Sequence, residues 1–170
     1  AAFLGYRLID SADWVFCNMD GTVDRKRSYS ALKALCGDEP VVIPGFYGCS
    51  HEGKVKTFSR GGSDVTGSIV AGACHADVYE NWTDVSGFLV ADPRIIKNPA
   101  RIETITYREL RELSYMGASV LHEEAIFPVR RQGIPINIRN TNRPEDEGTW
   151  IVESTAQKSG YVITGIAGRK

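Results

Sequence analysis

The sequence has no apolar run approaching the ~18 residues of a membrane span, so nothing in it predicts a membrane protein. It has no excess of one charge: 20 Lys and Arg stand against 21 Asp and Glu, a formal net charge of -1. A general nucleic-acid binder needs a basic surplus to neutralise phosphates, and that class is excluded. Cysteine is sparse, and Cys17, Cys36, Cys49 and Cys74 form no C-x-x-C pair and no Cys/His spacing. This weighs against a zinc ribbon or a disulfide scaffold, predicts no metal site, and fits a reducing, cytoplasmic compartment. The four read as small buried hydrophobes rather than nucleophiles. His51, His75 and His122 are isolated, with no H-E-x-x-H and no partner Ser or Cys at a recognisable spacing. They read as structural or surface groups. Neither G-x-x-x-x-G-K-[ST] nor G-x-G-x-x-G occurs. The opening Ala1-Ala2-Phe3-Leu4-Gly5-Tyr6-Arg7 has no initiator Met and no signal-peptide layout. Internal repeats and low-complexity tracts are also missing.

What remains is an ordinary globular composition. The 170 residues are 42% apolar and 24% charged, one domain's worth of chain. Glycine is frequent at 17, which predicts tight turns or close backbone approach to a ligand. Strand and helix signals alternate. Trp14-Val15-Phe16-Cys17 predicts a strand; Tyr29, Leu32, Leu35 and Cys36 share a helical face with Gly37 as its C′ stop. Val41-Val42-Ile43 is a buried-strand run, and alternating Lys54 to Phe58 predicts a hairpin arm inside a loop-like 47–62. Ser63 is expected to cap a helix bearing Val65, Ile69 and Ala73.

A strand follows over 77–82, ending at Thr83-Asp84. Thr106-x-x-Glu109 is a capping box, with Ile105 and Leu110 as its staple, for a helix to about Met116. A further helix is predicted over about 120–132, with Pro128 inside and Gly133 as its stop. Strands are predicted over 134–138, 150–152 and 161–163, and the polar segment 141–149 reads as a boundary or surface loop. The alternation predicts an α/β fold, a three-layer α/β/α sandwich with a mainly parallel sheet. Ligands of such sheets bind beyond the C-terminal strand ends, where glycine-rich loops meet helix N-termini.

Two segments meet that description. In Ser59-Arg60-Gly61-Gly62-Ser63-Asp64 the glycines admit close backbone approach. The free N–H groups of a helix start favour an anion. Arg60 adds a fork suited to carboxylate or phosphate, and Asp64 a carboxylate for an ammonium, a lysine or a metal. A tight turn opening a capped helix accounts for the same residues. The second segment is Trp82-Thr83-Asp84-Val85-Ser86-Gly87-Phe88, continued by Ala91-Asp92-Pro93-Arg94. Its hydroxyl, carboxylate, aromatic ring and guanidinium suit a purine nucleotide, while a plain strand-loop-strand with an Asp-Pro turn is the alternative.

These motifs, with Gly117-Ala118-Ser119-Val120-Leu121-His122 after them, occur in order and together resemble the aspartate kinases of the amino-acid kinase family. The resemblance runs from about Leu8 to Val152. It implies transfer of the ATP γ-phosphoryl group, with Mg2+, to the β-carboxylate of L-aspartate, the first step towards lysine, threonine and methionine. It implies that Arg60 holds the substrate α-carboxylate, with Gly61, Gly62 and Ser63 in nearby contacts. It further implies that Asp64 organises the catalytic centre. By the same resemblance Thr83 and Asp84 are expected to contact the nucleotide, Phe88 to stand beside the adenine in place of a tyrosine, and Arg94 to face the phosphates. Ser119 replaces a lysine that reaches the nucleotide, leaving at most backbone contact there.

The chain departs from the family in having no Lys-Phe-Gly-Gly-Thr-Ser-like segment, whose lysine neutralises the moving phosphoryl group. Residues 1–152 are therefore expected to be the C-terminal, nucleotide-side part of a kinase domain, inactive alone. Residues 153–160 are expected to be a linker, and 161–170 the start of an ACT-like regulatory domain. The resemblance also implies a homo-oligomer. The competing expectations are a non-catalytic nucleotide- or anion-binding module, and a kinase for another small acid.

Overall fold

The computed structural model describes residues 1–58, 61–115, 121, 123–155 and 163–168. The chain divides into two compact units, Ala1–Ala76 with Glu124–Pro128, and Asp77–Glu123 with Val129–Lys170.

In the first unit β1 (Arg7–Leu8) runs parallel to β2 (Val41–Val42), with Arg7 opposite Val41. The predicted hairpin forms from β3 (Tyr47–Cys49) and β4 (Val55–Thr57), antiparallel, with Tyr47 opposite Thr57. Helix α1 (Arg25–Leu35) is capped by Asp24, whose carboxylate accepts from the Arg27 N–H at 3.1 Å. It ends on an extended Cys36, so Gly37 does not adopt the left-handed stop expected of it. Helix α2 (Gly62–Cys74) supplies Ile69 and Ala73 to a core shared with Ile9, Trp14, Val15 and Leu32.

Trp14-Val15-Phe16-Cys17 is not a strand run. A 3-10 turn over Ser11–Asp13, capped by Asp10, delivers Trp14 and Val15 into the core, and only isolated bridges follow, Phe16 to Cys49 and Cys17 to Val23. Burial set by the turn, not ladder pairing, accounts for the apolar run.

The second unit holds a four-stranded sheet, ordered β5 (Tyr79–Thr83), β7 (Ile136–Asn140), β8 (Thr149–Val152), β6 (Thr104–Thr106). β5 pairs β7 and β6 pairs β8 in parallel, while β7 and β8 are antiparallel. The architecture is thus mixed α/β with mainly parallel pairing. Central β7 buries Ile136, Asn137 and Ile138, as a strand covered on both faces must. The segment 141–149 is a largely exposed connection between these two strands, not a boundary between the units.

Helix α3 (Tyr107–Tyr115) starts on the predicted capping box: Glu109 accepts from the Thr106 N–H at 2.8 Å, and Thr106 Oγ1 accepts from the Glu109 N–H at 3.2 Å. Ile105 and Leu110 flank it, both buried. Helix α4 (Glu123–Arg130) contains Pro128, and Gly133 beyond it is left-handed as expected. Of the predicted final strand, Tyr161 and Val162 lie outside the described residues. Ile163 is in no strand; instead Ile166 donates to the Val90 carbonyl at 2.7 Å and Thr164 to Glu109 at 2.6 Å.

Burial pushes the Glu109 pKa up, but hydrogen bonds from Thr164 and Thr106 hold it below the usual glutamate value. A depressed folded pKa contributes stability above the unfolded value and loses it as pH falls through the folded one. The melting-temperature gap between the protein and Glu109→Gln should be widest near neutral pH. It should close as pH drops below about 4, the ordinary glutamate range. A gap independent of pH would show that the charge contributes nothing.

Candidate active site

In the first unit the glycine pair meets the start of α2. Gly61, at φ 58°, is the N-cap, and no side chain caps the helix. Ser63 is therefore not the cap but the second helical residue, exposed on the first turn. Gly62 passes close to the residues that flank the hairpin: a Cβ there would sit 2.8 Å from Phe46 Cα and 3.1 Å from Phe58 Cβ. Thr66 fixes that approach, donating to the Gly62 carbonyl at 2.9 Å and accepting from the Phe46 N–H at 3.1 Å. Asp64 falls in the same first turn, half-buried. The N–H groups of a first turn have no intrahelical acceptor, and their dipoles favour an anion. Gly61, Gly62, Ser63 and Asp64 are thus together at one helix start. Arg60 lies outside the described residues.

In the second unit Thr83 closes β5 and Asp84 opens the loop that leaves it, the Thr83 hydroxyl donating to Asp84 at 3.3 Å. The Thr83 carbonyl accepts from both the N–H and the hydroxyl of Thr141, at 2.8 and 3.0 Å, so the loop starts from the C-terminal end of β7. Phe88 is 3% exposed and leaves no ring face for a base; its N–H donates to Thr149 Oγ1 at 2.9 Å. The ring expected beside adenine is a core side chain. The chain at 88–90 lies beside 100–102, with Leu89 bridging Arg101, and extended backbone alternates sides, so the open neighbour is Leu89, at 40% exposure.

Arg94 is exposed but folded onto Asp92, with Nη2 at 2.6 Å and Nε at 3.0 Å from its carboxylate. That hydrogen-bonded pairing holds the Asp92 pKa down and raises that of Arg94. Ser119 lies outside the described residues.

Residue patterning gave Ser86 no role of its own and overlooked Asn140, Thr141 and Asp146 beside the same loop. Thr83 is the register partner of Asn140, so the strand-end rule applied to β7 as well as to β5 would have found them. Among the described residues no cluster of His, Cys, Asp and Glu could hold a metal ion by itself, and no helix is long and apolar enough to cross a membrane.

The amino acid kinase family profile matches residues 5–140. The chain belongs to the amino acid kinase family. Within that family it is similar to aspartokinase 3 of Bacillus subtilis, 51% identical over 130 residues, which are 76% of this chain and 28% of that protein. The structure of an aspartate kinase from Clostridium acetobutylicum overlays with a TM-score of 0.90 at 59% identity, covering 97% of this chain and 38% of that one. Aspartokinase III of E. coli, in complex with aspartate and ADP in its R-state, overlays with a TM-score of 0.80 at 29% identity, covering 90% and 36%. The chain thus spans about a third of the length of these relatives.

Proposed function

We propose that the chain is part of the catalytic domain of an aspartate kinase, which moves the γ-phosphoryl group of ATP to the β-carboxylate of aspartate. The observation that carries this reading is the 59% identity, over nearly the whole chain, to a solved aspartate kinase. The aspartate and ADP bound in the E. coli relative supply the ligand classes. The geometry within each unit supports the assignment. Gly61, Gly62 and Ser63 offer main-chain N–H groups and a hydroxyl to the aspartate carboxylates, with Arg60 as the fork for the α-carboxylate. Asp64, in the same first turn, orients the charged groups that the reaction brings to that helix start.

Thr83 and Asp84 accept and donate hydrogen bonds to the nucleoside, and Leu89 takes the apolar contact in place of Phe88. Arg94 exchanges Asp92 for phosphate, a weak exposed pair for a more highly charged one. Mg2+ fits this donor set as an ion carried by the nucleotide phosphates and at most a carboxylate or two, since no protein cage stands ready among the described residues. Bound there, it would neutralise charge on the moving phosphoryl group. A cytoplasmic setting and assembly of copies belong to the same reading.

The test is an acyl-phosphate trap. Protein from the complete reading frame, given ATP, Mg2+ and aspartate, should form aspartyl hydroxamate with hydroxylamine. Product from glutamate or carbamate instead would overturn the substrate. ADP binding with no product from any acid would favour a binding module.

A further inference from the structure

The segment 141–149 is polar and mostly exposed, yet it is pinned at every turn. Asn137 Nδ2, buried in β7, donates to the Glu147 carbonyl at 3.1 Å. Arg139 Nη2 donates to the Pro144 carbonyl at 2.7 Å. From this fixed frame a chain of hydrogen bonds reaches the Asp84–Gly87 loop. The Asn142 N–H donates to Asn140 Oδ1 at 2.9 Å, and Asn140 Nδ2 donates to Ser86 Oγ at 2.9 Å. Ser86 in turn donates to Asp146 Oδ2 at 2.6 Å, and Arg143 Nε lies 3.6 Å from the same carboxylate oxygen. Asn140 is buried and the Asp146 carboxyl is 22% exposed, so these bonds are shielded from competing water.

The direction of the chain matters. Asn140 turns its Oδ1 towards the Asn142 N–H, which leaves its Nδ2 facing Ser86 as a donor. Ser86 must then send its single proton to Asp146, a charged acceptor, which makes the second bond the short and strong one. Ser86 is two residues beyond Asp84, in a loop with no ladder bonds of its own, and Thr83 is already held by Thr141. The loop is therefore fixed at its start and at its middle by one strand end and one connection.

We propose that Asp146 and Asn140 are positioning residues for nucleotide binding: acting through Ser86, they hold Thr83 and Asp84 in the orientation that receives the nucleoside. This rests on the nucleotide reading of Thr83 and Asp84. Ordering the loop before the ligand arrives lowers the cost of binding, so removing the pin should weaken ADP rather than aspartate.

The experiment is calorimetry with ADP, alongside kinetics, on protein from the complete reading frame. Asp146→Ala and Ser86→Ala should each weaken ADP binding about tenfold, and the double variant no further, because both remove one shared bond. Asp146→Asn keeps an acceptor without its charge and should lose less ADP affinity than Asp146→Ala, about threefold. KM for aspartate should stay within about twofold throughout. Ser86→Ala removes only a hydroxyl and serves if Asp146→Ala does not fold. Parental ADP affinity in Ser86→Ala, or equal losses in Asp146→Asn and Asp146→Ala, would overturn the positioning role while leaving the kinase reading intact. A parent protein that does not bind ADP would instead overturn the nucleotide reading itself.

Discussion

Gly148→Ala is expected to destabilise the second unit by about 3 kcal/mol, near the top of the range for one added methyl group. Gly148 has φ 74°, and a Cβ there would overlap the Ile138 carbonyl oxygen, far inside van der Waals contact. The left-handed backbone costs an L-residue about 1 kcal/mol, and the overlap with a central strand supplies the rest. Ile138 cannot retreat, because it is fully buried in β7 between two paired strands. Gly133→Ala separates the two terms: φ is 68°, but nothing lies within 4 Å of its Cβ position, so about 1 kcal/mol is expected there.

Urea unfolding monitored by tryptophan fluorescence reads the difference. Trp82 and Trp150 belong to the second unit and Trp14 to the first, and Trp-to-Phe variants can isolate each signal. Equal losses for the two glycine variants would show that the Ile138 carbonyl yields and that backbone conformation alone sets the cost.

The position of Gly148 also shows why the 141–149 segment could be read from its residues as a surface loop but not as a fixed one. Thr-Asn-Arg-Pro-Glu-Asp-Glu-Gly-Thr has the composition of a solvated linker. What turns it into a fixed part of the second unit is the set of side chains leaving β7: Asn137, Arg139 and Asn140. None of the three signals that role locally. The α3 start was legible because Thr106 and Glu109 carry its chemistry three residues apart, and β7 and β8 because buried β-branched runs have few other uses. Strands β1 and β6 are two or three residues long, with partners far along the chain, so neither has a periodicity to detect.

The site divides the same way. Glycines before a helix and a Thr-Asp at a strand end follow general rules of α/β sheets, so their places at the start of α2 and the end of β5 were legible. Which of Phe88 and Leu89 points inward depends on the bridge to Arg101, and an apolar pair in sequence does not settle it.

Asp64→Asn should lower turnover with ATP and aspartate by about 100-fold or more in protein from the complete reading frame, with stability nearly unchanged. Asparagine keeps the size and hydrogen-bonding reach of the side chain and removes only its charge. Asp64 lies in the first turn of α2, where losing a carboxylate costs the helix no more than about 1 kcal/mol. A large kinetic effect would thus have to come from the reaction. Phosphoryl transfer leaves the protein little covalent work, so misplacing one charged group in a gathered set is felt mainly in kcat. Arg60→Ala should behave differently. An arginine that only holds the α-carboxylate contributes alike to substrate and transition state, so its loss should raise KM for aspartate with kcat little changed. Steady-state kinetics of the two variants, with a thermal melt beside each, separates these roles. If Asp64→Asn turns over at the parental rate, Asp64 leaves the catalytic set. If its loss of turnover is matched by a melting-temperature drop of about 5 °C or more, the carboxylate serves the helix rather than the chemistry.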